Sequence, residues 1–206
     1  MTTKTDYRTV LDLALQDEDY GSQATLSELV DQMKTFLFAG HDTSASMLAW
    51  SYYYLSFHPH CAAKLRHEHN EVFGPDTQSP AQIADRIKAN PAILGKLEYT
   101  LAVLKESLRL GPIGDGVRYA TPGYVIRTKT GAEFDVSGMI LNAQHGGLHM
   151  REEVWGPTVG EFDPERFTVG KQVPIGYIPF ATRPRDCIGR NLAYIEVCCL
   201  YVGAYG

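Results

Sequence analysis

The stretch Phe180–Arg190, F-A-T-R-P-R-D-C-I-G-R, governs how the rest of the chain is read. Its cysteine, Cys187, precedes Ile188, Gly189 and an amphipathic run. Ile188, Leu192, Ile195, Cys199 and Val202 recur at spacings of four, three, four and three, the period of one helical face. Cys187 is therefore expected at a loop-to-helix junction. There the free N–H groups and the positive end of the helix dipole favour a thiolate. Arg185 and Arg190 flank it and add positive charge. A thiolate is a nucleophile or a metal ligand.

Three readings of Cys187 compete. Free cysteine is among the most buried residue types, so an inert core thiol is the plainest. Nucleophilic catalysis needs a partner base, and no histidine lies in this loop. Ligation of haem iron by a single thiolate suits the arginines, which can also pair haem carboxylates.

The composition sets the frame. At 206 residues the chain is long enough for one sizeable core, and 44% hydrophobic with 21% charged residues is an ordinary globular mixture. A net charge of −5 gives no general attraction to nucleic acid or anionic lipid. The four cysteines form no C-x-x-C pair, which favours a reducing compartment over secretion. No apolar run is long enough to span a bilayer, and the polar start is not a signal peptide.

Helical patterns fill the first half. Thr25 and Glu28 form a candidate capping box, and a helix is expected from there to Phe57, where His58-Pro59 ends it. Such a helix would be about 48 Å long. Pro59 to Phe73 reads as a second helix, and Asn90-Pro91 as the start of a third with a break at Gly95. Leu97–Leu110 reads as a strong helix closed by Gly111-Pro112. Tyr124–Ile126, Glu133–Val136 and Met139–Leu141 are short strand candidates between glycine-rich turns. Asp163–Ile178 is irregular and leads to the cysteine loop and a last helix. The fold class expected is mainly α with small β-sheets, in a single domain over residues 1–206.

Two further motifs stand out. Glu106 and Arg109 lie at i, i+3 on one helix, usually a weak surface pair. Ala39-Gly40-His41-Asp42-Thr43-Ser44 sits in the middle of the long helix, where small residues most simply mark a helix crossing.

Taken in order, these motifs resemble those of the cytochrome P-450 superfamily. Its haem-binding loop reads Phe, two residues, Gly, one residue, Arg, one residue, Cys, one residue, Gly; Phe180, Arg185, Cys187 and Gly189 match. Its Glu-x-x-Arg helix matches K-E-S-L-R-L, followed by Pro112, and Arg166 in F-D-P-E-R-F matches the arginine that joins that pair. Its oxygen-side motif, Ala/Gly-Gly-x-Asp/Glu-Thr, matches Ala39 to Thr43. The resemblance runs from about residue 25 to 203 and implies the C-terminal part of the fold, with a long central helix, Glu-x-x-Arg helix, meander, cysteine loop and final helix.

The resemblance implies haem b (iron protoporphyrin) with Cys187 as the iron ligand. It implies Arg118 and Arg185 as partners of the propionates, with Phe180, Gly189 and Gly40 against the cofactor. Glu106, Arg109 and Arg166 would form a buried structural triad. Asp42 and Thr43 would relay protons to dioxygen, with Thr43 bonding back to a carbonyl. His149 and Trp155-Gly156-Pro157 fit the stretch before the meander, with His149 satisfied rather than touching haem. The implied reaction inserts one oxygen atom of dioxygen into a small organic substrate, with electrons from an NAD(P)H-linked flavoprotein reductase or other donor. A truncated haem-binding remnant without activity of its own is the alternative, and a haem-thiolate isomerase or dehydratase a third reading that Asp42-Thr43 argues against. The setting implied is intracellular, with a membrane anchor possible in a longer parent.

One position departs from the pattern. Arg183 stands where the family has glycine. If the loop needs a left-handed backbone there, arginine costs about 1–2 kcal/mol, and impaired haem binding is expected.

Overall fold

A computed structural model of the chain describes residues 9–17, 25–74 and 79–205. The residues up to Thr43 and those from Ser44 onward form two compact units.

In the first unit, Thr9 caps a short helix, Val10–Gln16, which the sequence spacing had not suggested. The Thr9 side chain accepts from the Asp12 amide at 3.1 Å, and the Thr9 amide donates to Asp12 at 2.8 Å. The long helix, Leu26–Phe57, starts in the same way. Thr25 Oγ1 accepts from the Glu28 amide at 3.3 Å, while the Thr25 amide donates to Glu28 Oε2 at 2.7 Å. This reciprocal pair satisfies two of the donors a helix start leaves free.

In the second unit the long helix runs on from Ser44 and buries Met47, Ser51 and Leu55, at steps of four. Pro59 ends it and opens the next helix, Pro59–Phe73, at the first position, where its missing N–H costs nothing. That helix buries Cys61, Leu65, His69 and Phe73, again at steps of four, so one narrow stripe faces the core. Pro80–Ala89 is a further helix, capped by Ser79 and Gln82, which the sequence reading missed. The start expected at Asn90-Pro91 is a 3-10 turn, Pro91–Lys96.

The helix Glu98–Leu110 is the centre of the unit. It buries Thr100, Ala102, Val103, Leu104, Glu106, Ser107, Leu108 and Arg109, so nearly its whole circumference is out of water. Its N-cap, Leu97, has no side chain to offer the first amides. Glu68, from the Pro59–Phe73 helix, does that work. Its carboxylate accepts from the Tyr99 amide at 2.5 Å, the Thr100 amide at 2.8 Å and Thr100 Oγ1 at 2.7 Å. Thr100 Oγ1, its proton given to Glu68, accepts from His69 Nε2 at 2.9 Å.

Two separate antiparallel pairs follow. β1 (Gly116–Tyr119) pairs with β4 (Ile140–Ala143), in register Gly116 to Ala143 and Tyr119 to Ile140. β2 (Val125–Arg127) pairs with β3 (Glu133–Asp135). The three expected strands form within two residues of the expected bounds, and β1 is additional. Short helices at His145–His149 and Glu152–Trp155 and a 3-10 turn at Pro164–Phe167 punctuate the irregular run to the cysteine loop.

The final helix, Arg190–Tyr205, packs on the Pro59–Phe73, Pro80–Ala89 and Glu98–Leu110 helices. Its buried face corrects the sequence reading. Val197, Cys198, Tyr201 and Val202 are inside, and Tyr201 stacks on Tyr52 at 4.9 Å. Ile188, Leu192 and Ile195 are 95%, 68% and 51% exposed. The helix is apolar almost all round from Ile195 to Val202, so periodicity alone offered two faces; packing buried Val202 of the expected face and took the rest from the other. Among the described residues no helix is long and apolar enough to cross a membrane.

Burial pushes the His69 ring from 6.5 down to about 4. The unfolded chain therefore takes up a proton below pH 6.5 that the folded chain refuses, so stability is full above that value and falls as the pH drops toward about 4. Thermal melts across this range should show the fall, and His69→Gln should lessen its slope. An equally steep fall in the variant would place its source elsewhere.

Candidate active site

Glu106 and Arg109 sit one turn apart on the Glu98–Leu110 helix, both with 0% of the side chain exposed. Arg109 Nε donates to Glu106 Oε2 and Nη2 to Glu106 Oε1, each at 2.7 Å. Its remaining donors go to backbone carbonyls. Nη1 reaches His149 O at 3.1 Å and Val159 O at 2.7 Å, and Nη2 reaches Glu161 O at 3.0 Å. All five N–H groups of the guanidinium are thus used. The Trp155 ring lies 5.0 Å from its central carbon and closes the site against water.

Glu106 is the second hub. Burial pushes its carboxyl up, and Arg109, the Asp163 amide and Arg166 pull it back down. The Asp163 amide donates to Oε1 at 3.0 Å. Arg166 stands at ion-pair distance only, Nε to Oε1 3.6 Å, and spends its other nitrogens on Trp155 O at 3.1 Å and on Thr158 O and Oγ1 at 2.7 and 2.6 Å. The group is therefore a bidentate pair with a looser third member. Its partners span residues 149 to 166, so it anchors the irregular run.

The cysteine loop follows that run. Cys187 carries a free, exposed thiol. Its amide donates to Phe180 O at 2.9 Å, and its carbonyl accepts from the Arg190 amide at 3.4 Å at the first residue of the final helix. Gly189 O accepts from the Ala193 amide at 2.9 Å, the first bond of that helix. Phe180 is half-buried, edge-on to Tyr194 at 5.1 Å. Arg190 pairs with Asp186 at 3.0 Å and lies over the Phe180 ring at 5.9 Å, so part of the positive charge expected around Cys187 is neutralised within the loop.

The strain expected at Arg183 is not there. Among the described non-glycine residues the positive φ belongs to Ala181, at 59°, and Arg183 is exposed. The loop turns two residues earlier than the glycine pattern suggested, and the arginine side chain points into water.

Arg185 and Arg118 are both exposed. Arg118 donates to its own neighbour, Val117 O, at 2.7 Å, and neither arginine pairs with a carboxylate among the described residues.

Gly40, Asp42 and Thr43 lie on the exposed part of the long helix in the first unit. Thr43 Oγ1 donates to Ala39 O at 2.6 Å. Asp42 Oδ1 is 3.0 Å from His41 Nδ1. A side chain at Gly40 would meet nothing within 4 Å, so the helix surface is open there. In the second unit, Ser44 Oγ donates to Glu196 on the final helix at 2.9 Å.

His149 is the residue the sequence undervalued. It is buried, with its carbonyl on Arg109 and its ring on the Ile178 amide. A lone histidine beside a leucine gives no pattern from which either contact is legible.

A mainly helical chain with a buried Glu-Arg pair anchoring a run that ends in a free thiol before a helix is the arrangement that the resemblance to haem-thiolate proteins implies. The comparisons agree. A family model described as Cytochrome P450 matches residues 2–201. Cytochrome P450 monooxygenase polC of Polytolypa hystricis is 36% identical over 171 residues, covering 81% of this chain and 30% of that protein. Cytochrome P450 monooxygenase acrF of Aspergillus aculeatus is 33% identical, covering 93% and 43%, and human Cytochrome P450 4V2 is 32% identical, covering 94% and 35%. The chain belongs to the cytochrome P450 family and spans from 30% to 43% of the length of these relatives.

Removing either partner of the buried pair strands a charge, at a cost of about 3–5 kcal/mol. Urea unfolding of Arg109→Ala and Glu106→Ala should show such a loss, while Arg166→Ala should lose about 1–3 kcal/mol for its charged hydrogen bonds. Equal losses in all three would make Arg166 a full member of the pair.

Proposed function

We propose that residues 1–206 are the C-terminal part of a cytochrome P450 domain and carry its haem-binding and dioxygen-activating residues. The reaction is insertion of one oxygen atom of dioxygen into a small organic substrate, with electrons from an NAD(P)H-linked flavoprotein or other donor. The observation that carries this reading is the state of Cys187. It is a free thiol, held by its own amide to Phe180 O three residues ahead of a helix.

The donor set suits haem b. Cys187 Sγ is the iron ligand in this reading, and Arg118 and Arg185, which pair with no carboxylate among the described residues, take the propionates. Phe180 and Gly189 lie in the same loop as Cys187, and Gly40 faces the cofactor only as the family motif implies. When bound, haem supplies the redox centre at which dioxygen is reduced and split.

The chain's own groups manage protons. Thr43 Oγ1 has given its proton to Ala39 O, so its oxygen acts as an acceptor. It can hold a water at that oxygen. Asp42, exposed beside it, delivers protons from solvent. The Glu106–Arg109 pair fixes the run leading to the loop and takes no part in the chemistry.

Cys187→Ser should abolish the thiolate-type Soret band of the reduced, carbon monoxide-treated protein. Its persistence would mean that another group binds the iron. In a turnover-competent parent, Thr43→Ala should retain haem and divert electrons to peroxide. Unchanged coupling of NAD(P)H use to product would rule out the proton role.

A further inference from the structure

His149 ends the short helix His145–His149 and is fully buried. Its ring Nε2 lies 3.0 Å from the Ile178 amide nitrogen. An amide N–H only donates, so Nε2 is unprotonated and the neutral ring carries its proton on Nδ1. Nδ1 closes no hydrogen bond among the described residues. Burial keeps the ring neutral, at about 4; the charged or titratable groups that face it are Arg109 and His145.

The same ring stacks on Tyr177 at 5.4 Å, and Tyr177 donates its hydroxyl proton to Lys105 O at 3.0 Å. Tyr177 is thus tied to the Glu98–Leu110 helix and Ile178 to the His145–His149 helix. A ladder continues from there. Ile178 O accepts from the Ala181 amide at 3.0 Å, at the residue with positive φ. Phe180 O accepts from the Cys187 amide at 2.9 Å. At its other end, the His149 carbonyl is held by Arg109.

We propose that His149 is a positioning residue for Cys187: its unprotonated Nε2 holds the Ile178 amide and fixes the start of the turn that ends at the Cys187 amide. The proposal rests on reading this turn as the haem loop. A histidine that only fills space would be replaceable by any apolar side chain of equal reach; a positioning one is replaceable only by another acceptor.

His149→Gln and His149→Met reach equally far, but only glutamine keeps a strong acceptor. Native-state hydrogen exchange, resolved at the Ile178, Ala181 and Cys187 amides of the whole chain, separates the two cases. The methionine variant should exchange about fivefold faster or more at these amides, the worth of one neutral hydrogen bond, with glutamine within about twofold of the parent. Parental rates in the methionine variant, or equal acceleration in both variants, would overturn the proposal. Nitrogen-15 NMR of the parent's ring needs no variant and should find the proton on Nδ1 at neutral pH; a proton on Nε2 would also overturn it. Neither readout needs haem, so failure here leaves Cys187 as the proposed ligand, and failure of the Cys187→Ser test leaves the His149–Ile178 bond in place.

Discussion

A guanidinium with five N–H donors and no water around it can exist only if five acceptors are brought to it. Arg109 is such a group, and the chain meets its demand with one carboxylate and three backbone carbonyls. Those carbonyls belong to residues 149, 159 and 161, in a stretch with little regular structure of its own. The need to satisfy a buried charge therefore does here what a sheet or a helix bundle does elsewhere. It gives an irregular segment one conformation.

The consequences run outward in both directions. Toward the N-terminus the Glu98–Leu110 helix must stay buried, and this explains its nearly complete coverage by the neighbouring helices. Toward the C-terminus the fixed carbonyl of His149 leads, through its ring and Ile178, into the loop that carries Cys187. Stability and the presentation of a thiol are thus served by one cluster, although the two ends need different chemistry. The cluster is dry and closed, whereas the thiol stands open to solvent.

The parts legible in the sequence are those whose partners lie within one turn. The spacing of Glu106 and Arg109, the Thr25–Glu28 box and the stop at Pro59 all follow from helix geometry. Three of the four strands were found to within two residues because turn glycines bracket them. What stayed hidden depends on distant or featureless partners. Backbone carbonyls carry no side-chain signature, so the acceptors of Arg109 could not be read. Pro80–Ala89 is the exception: Ser79 and Gln82 at capping-box spacing, Pro80 at the first position and Ile83 and Ile87 one turn apart made it legible, and the reading passed over it. The buried face of the final helix was ambiguous because both faces are apolar, and the turn at Ala181 was masked by a pattern that pointed to residue 183. The roles of Cys187, Asp42 and Thr43 came from the order of motifs, which geometry alone does not supply.

Glu68 deserves a last thought in terms of time. A helix that carries its own cap can begin to form by itself, whereas the Glu98–Leu110 helix takes its cap from a segment some thirty residues earlier. Its first turn is completed only when the Pro59–Phe73 helix has docked. Starting the helix and collapsing the core are then one event rather than two, and the cost of nucleation is met by a tertiary contact. Glu106 and Arg109 thus sit on a helix whose first turn is satisfied only inside the packed core, so their burial and the packing of its walls depend on one another.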